Sequence, residues 1–157
     1  MKSLSAIFIL CALTTLACKV IYKQHSVNGT YELASKTVKK GDDVYGYAGE
    51  IQVKELPNNR IVLSFFITKG APSYNLGAFI DTLNYSKNTA VYKLQQDSAR
   101  CEISFLFNDK GIQVNQESSD YFYGCGFGNG VVAHGFFKRV SNEVPIIKDL
   151  ATGEEIK

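Results

Sequence analysis

Between Asn28 and Val140 the chain breaks into runs of strand character separated by turn residues, and almost none of it has the spacing of a helix buried on one face. Cys101, Ile103, Phe105 and Phe107 share one face of their segment, while Arg100, Glu102 and Ser104 share the other. Ile61, Leu63, Phe65 and Ile67 form a second such face, opposed by Ser64 and Thr68. Eight runs of strand character follow in order: Asn28 to Val38, Tyr47 to Leu56, Arg60 to Thr68, Leu76 to Tyr85, Thr89 to Gln95, Arg100 to Phe107, Gly111 to Glu117, and Val131 to Val140. Tyr and Phe are plentiful and Trp is absent, a usage suited to pleated, half-buried surfaces.

Short links rich in turn residues join many of these runs: Pro57-Asn58-Asn59, Ser86-Lys87-Asn88, Asp97-Ser98-Ala99 and Asn108-Asp109-Lys110-Gly111. Links this short force antiparallel neighbours. Closing the sheet removes the edge strands that would otherwise template aggregation. The expected fold is therefore all-β, a single small antiparallel up-and-down barrel of about eight strands. Gly29-Thr30-Tyr31-Glu32-Leu33 in the first run and Gly135-Phe136-Phe137-Lys138-Arg139 in the last each set an aromatic residue near a glycine, as expected where strands curve to meet.

Alternating strand direction sorts the links between two ends. The turns after the second, fourth and sixth runs share an end with both termini of the barrel. The longer links, Lys39 to Gly46, Lys69 to Asn75 and Ser118 to Gly130, gather at the opposite end. Loops held on a rigid scaffold are where binding residues concentrate. Tyr74, Tyr121, Phe122, Tyr123 and Phe127 are the candidate partner-binding residues of that rim, with Tyr45 and Tyr47 beside them. Aromatic residues at a barrel mouth also serve to plug the core, and both roles are open to each.

Before the barrel, Lys2 precedes an apolar run from Ala6 to Leu16, followed by Ala17 and Cys18. The run spans about eleven residues, too few for a membrane crossing of roughly 20. It reads as a secretory signal over residues 1–17 with cleavage before Cys18. The site resembles a bacterial lipobox, with Thr15 where an aliphatic residue is usual. On that resemblance Cys18 carries lipid, residues 18–27 form a tether, residues 28–140 form the barrel, and residues 141–157 form a polar tail, disordered or packed below it. The address is the cell envelope, with a lipid anchor in a membrane. Cys11 leaves with the signal and Cys18 is lipidated, so Cys101 and Cys125 remain as a pair in an oxidising compartment and are expected to form a disulfide. The bridge would staple the Ser118 to Gly130 loop to the distal rim.

The formal charge of +2 provides no electrostatic case for nucleic acid. No cofactor motif appears: the glycines from Gly124 to Gly130 lack the flanking lysine and helix of a phosphate-binding loop. Two cysteines without a spaced set of histidines do not make a metal site. His134 and His25 lie far apart and have no matched nucleophile, and Asp42, Asp43, Asp81 and Asp120 fall into no catalytic pair, so an enzyme is not expected.

From Cys101 to Val140, the cysteine strand, the Asn108 to Gly111 turn, Gly124-Cys125-Gly126-Phe127-Gly128 and Gly135-Phe136-Phe137-Lys138-Arg139 resemble uncharacterised bacterial envelope lipoproteins with disulfide-stapled barrels. Size, signal, cysteine pair and barrel are also similar to the periplasmic and membrane-bound lysozyme inhibitors, although their Ser-Gly loop and Tyr strand have no counterpart here. The resemblance implies a non-enzymatic envelope lipoprotein that binds another protein through its membrane-distal loops, in its specific form an inhibitor or immunity factor against an envelope-attacking hydrolase. The alternative is a carrier of a small apolar ligand, since Gly29-Thr30-Tyr31 resembles the opening Gly-X-Trp motif of lipocalins.

Overall fold

The computed structural model describes residues 26–96, 99–120, 125–149 and 152–156. The signal, Cys18, most of the tether, and Tyr121 to Tyr123 lie outside them. Nine strands follow in order: β1 (Gly29–Leu33), β2 (Val38–Lys40), β3 (Asp43–Leu56), β4 (Arg60–Gly70), β5 (Leu76–Ser86), β6 (Thr89–Gln96), β7 (Ala99–Asn108), β8 (Gly111–Ser118) and β9 (Gly135–Ser141). Each of β3 to β8 pairs with the next, β9 pairs with β1, and β1 pairs with β3. The sheet closes as an antiparallel eight-stranded barrel, with β2 added as an extra strand on β3.

Closure depends on Gly29, whose φ of 147° is open to glycine. A side chain there would strike the carbonyl of Ser141, at the end of the strand that β1 meets. The proximal turns follow the sequence. Lys87 and Asn88 take φ of 50° and 61° between the paired Ser86 and Thr89, as a two-residue hairpin turn requires. Asn108 Oδ1 accepts from the amides of Lys110 and Gly111 in the next.

Three expectations are corrected. The run Asn28 to Val38 is two strands, because β3 is long enough for β1 to pair with its proximal half and β2 with its distal end. As a consequence Lys39 to Gly46 is no loop but the turn and arms of a projecting β2–β3 hairpin. The last run is shorter than expected, since β9 begins at Gly135 and leaves Val131 to His134 outside the ladder. In the β7–β8 ladder the two-residue turn at Asp109 and Lys110 sets Cys101 opposite Ser118, at the distal end.

Aromatic rings fill the interior. Phe65 is central, with centroids of Phe79, Phe105, Phe127 and Phe137 at 5.4, 5.9, 6.1 and 5.9 Å. Toward the proximal end Phe107 meets Tyr31 and Tyr85 edge-on at 6.4 and 5.2 Å. Ile51, Val53, Ile61, Leu63, Ile67, Ile103, Ile112 and Val114 are fully buried between these rings. The proximal end is sealed by Arg139, which lies over the Tyr31 ring and donates to Tyr31 Oη at 2.7 Å and to the Ser26 carbonyl at 3.1 Å.

The described part of the C-terminal segment folds back over the outside wall. Lys54 pairs with Glu155 at 2.6 Å and donates to the Ile156 carbonyl at 3.0 Å. Val62, opposite Lys54 in the ladder, faces outward yet is buried, as is Ile147 of the returning segment.

Candidate functional site: the distal rim

At the distal end the β2–β3 hairpin, the Ala71 to Asn75 link and the Cys125 to Gly130 segment are tied into one surface. The bridge between Cys101 and Cys125 anchors the last of these, with Cα atoms 4.9 Å apart. Cys101 ends an inward-facing row on β7, so the bridge holds the segment over the barrel mouth. Lys69 Nζ and Asn75 Nδ2 both donate to the Asn129 carbonyl, at 2.8 and 2.9 Å. Tyr47 Oη donates to the Gly130 carbonyl at 2.8 Å, and the Gly128 amide donates to the Leu76 carbonyl at 2.9 Å.

Phe127 is thereby turned inward. It is only 8% exposed and stacks on Phe65. Its seat is Gly77, where any Cβ would come within 2.4 Å of the Phe127 ring. Of the two roles open to a mouth aromatic, Phe127 takes the plug.

Tyr74 takes the other role. It is 46% exposed and adopts φ of 49°, a conformation that bulky residues rarely hold without support. The support is local: its amide donates to the Gly70 carbonyl, Tyr74 Oη donates to Asp43 Oδ1 at 2.8 Å, and the Val44 amide donates back to Tyr74 Oη at 3.2 Å. Its hydrogen bond to the Asp43 carboxylate raises the phenol above its ordinary pKa, so the latch keeps its proton at physiological pH. Tyr74 thus ties the β4–β5 link to the hairpin while its ring faces solvent.

Around it lie Tyr45, expected at this rim, and the apolar side chains of Val38, Val44 and Leu76, which were not. Val38 is 54% and Leu76 50% exposed, and Val44 and Tyr45 are also exposed, with Lys40 Nζ 5.5 Å from the Tyr45 ring centroid. One signal could have found Leu76: the buried residues Gly77, Leu83 and Tyr85 share one phase of β5, and Leu76 is in the other.

His134 is exposed, and Asp42, Asp43 and Asp120 are exposed too. Among the described residues no three His, Cys, Asp or Glu side chains come together as a metal site. Tyr121, Phe122 and Tyr123 lie outside the described residues, directly before the bridged Cys125. Comparison of the chain with protein families, curated proteins and solved structures found no match. The expected bridge and closed barrel are both present.

Proposed function

We propose that this chain is a non-enzymatic envelope lipoprotein whose distal rim binds another protein, as an inhibitor or immunity factor against an envelope-attacking hydrolase. One observation carries the reading: exposed Tyr74, Leu76, Val38 and Tyr45 stand on a rim held by a disulfide and a set of cross-loop hydrogen bonds. Apolar and aromatic surface that is already rigid loses little entropy on binding, and Tyr is favoured at the centres of protein interfaces. The filled interior supports this reading over a ligand carrier, because Phe65 and its neighbours occupy the space a ligand would need. At the opposite end the described chain begins, at Ser26, beside Arg139, which suits a tether there and a rim presented away from the membrane.

The test titrates the protein against a panel of purified peptidoglycan-cleaving enzymes. Inhibition of at least one is expected, weakened at least tenfold by Tyr74→Ala combined with Leu76→Asp and unchanged by Val140→Asp at the proximal end. Equal inhibition by the rim variant would overturn the rim assignment. No inhibition across the panel would overturn the inhibitor form of the proposal.

A further inference from the structure

The barrel wall is not uniformly paired. β5 and β6 are joined only at Tyr85 with Ala90 and Ser86 with Thr89, next to their connecting turn. Beyond that point β5 continues to Leu76 on the ladder of β4, and β6 continues to Gln96 on the ladder of β7, with no pairing between them. The phase of each ladder fixes which backbone groups are left. The Tyr85 amide donates toward β4, to the Asn59 carbonyl, so the amides and carbonyls of Ala78, Ile80 and Thr82 and the amide of Asn84 point into the seam below the last pairing. The Asn88 carbonyl accepts from Phe107 on β7, so those of Val91 and Lys93 point into it from the other side.

Three observations indicate that this edge accepts main chain. The protein's own distal loop already uses it, because the Gly128 amide donates to the Leu76 carbonyl at the upper end of the same row. Below that point the Thr82 amide is met by its neighbour's side chain, Asp81 Oδ1 at 2.7 Å, in place of a strand. Asp81 itself lies on the inward phase of β5, with Gly77, Leu83 and Tyr85, yet it is exposed, so the seam opens the wall to solvent there. Beside it Phe79 and Tyr92 stack across the seam with centroids 3.9 Å apart. The Asp81 charge reaches the Tyr92 phenol, whose pKa is raised first by burial and then by that carboxylate. Among the described residues no cation pairs with Asp81, and Lys93 is paired with Glu102 at 2.8 Å.

We propose that the seam between β5 and β6 is an acceptor for one extended segment of a partner polypeptide, which adds as a strand along Ala78 to Asn84 and directs a lysine or arginine to Asp81. The open row spans about 20 Å at the rise of a strand, enough for a segment of about seven residues. Main-chain hydrogen bonds would supply the affinity, as in strand addition generally. The Asp81 carboxylate and the adjacent Tyr92 ring would select a cation. This surface is on the wall and is independent of the rim residues.

The test selects displayed random heptapeptides on the purified protein and maps the best binders by amide hydrogen exchange. Enriched peptides are expected to be β-branched and to carry Lys or Arg, to protect the amides of Ile80, Asn84 and Lys93, and to bind Tyr74→Ala with unchanged affinity. Ile80→Pro removes one seam-facing donor without touching the β4 ladder, and it should weaken binding at least tenfold. Asp81→Asn should remove the preference for basic over neutral peptides. The proposal is overturned by no enrichment over a blank support, by protection confined to the rim, or by seam protection that appears with protein concentration alone and so marks a second copy as the occupant. The exchange map on unaltered protein decides the matter even where Ile80→Pro does not fold.

Discussion

Gly77 and Phe127 fit closely against one another, and they show how one small residue sets the state of a loop. The ring occupies the space that a Cβ at position 77 would need. Gly77→Ala should therefore expel Phe127 from the mouth and destabilise the fold by about 1–3 kcal/mol, read from denaturant midpoints. Unchanged stability would show that the ring is not seated there in solution. Tyr31 is the matching residue at the proximal end. Its hydroxyl donates to the Val27 carbonyl at 2.8 Å and accepts from Arg139. Burial raises its pKa, and Arg139 pulls it back in part through its charge and hydrogen bond. A phenol that holds its proton more tightly when folded leaves stability intact below its unfolded pKa of about 10 and loses it as pH rises through the folded value. Tyr31→Phe should cost about 1 kcal/mol at pH 7 and should flatten the alkaline fall in melting temperature above pH 10. An identical alkaline fall in the variant would assign it to other groups. Neither residue's role was legible beforehand: Tyr31 was seen only as an aromatic near a glycine, and Phe127 was equally compatible with mouth and core.

Strands were legible where both faces obey one period. β7 alternates cleanly, and Cys101 and Cys125 were left as a pair by elimination, so each was readable from the chain itself. The break between β1 and β2 was not, because Ala34 to Thr37 carries no strong breaker and the division is imposed by the length of β3. The β5–β6 seam was hidden for the same reason. Both strands have strand composition, and only the divergence of the ladders on their other sides separates them. The bridge closes a loop with a sequence separation of 24. Replacing both cysteines with serine should lower stability by about 3 kcal/mol on loop-entropy grounds, measured by chemical denaturation. Amide exchange should show the loss of protection concentrated at Gly128 and Val131, whose amides hold the bridged segment. A uniform loss over all strands would instead make the bridge part of the global core.

At the scale of the molecule, closure leaves a filled barrel with two unlike ends. Tight turns, Arg139 and the start of the described chain lie at one end. The β2–β3 hairpin, the Tyr74 latch and the bridged segment lie at the other. The barrel itself was legible from strand count and turn length. The composition of the rim was only partly so, because exposure of Val38 and Val44 depends on the β2–β3 hairpin at the distal end. The central claim, a rigid distal rim that binds a protein, is tested most directly by photo-crosslinking in the native cell, with a benzophenone side chain placed at position 74 on the rim or at position 144 near the proximal end. The account predicts a discrete protein adduct from position 74 and none of that mass from position 144. The same adduct from both positions, or none from the rim, would contradict it.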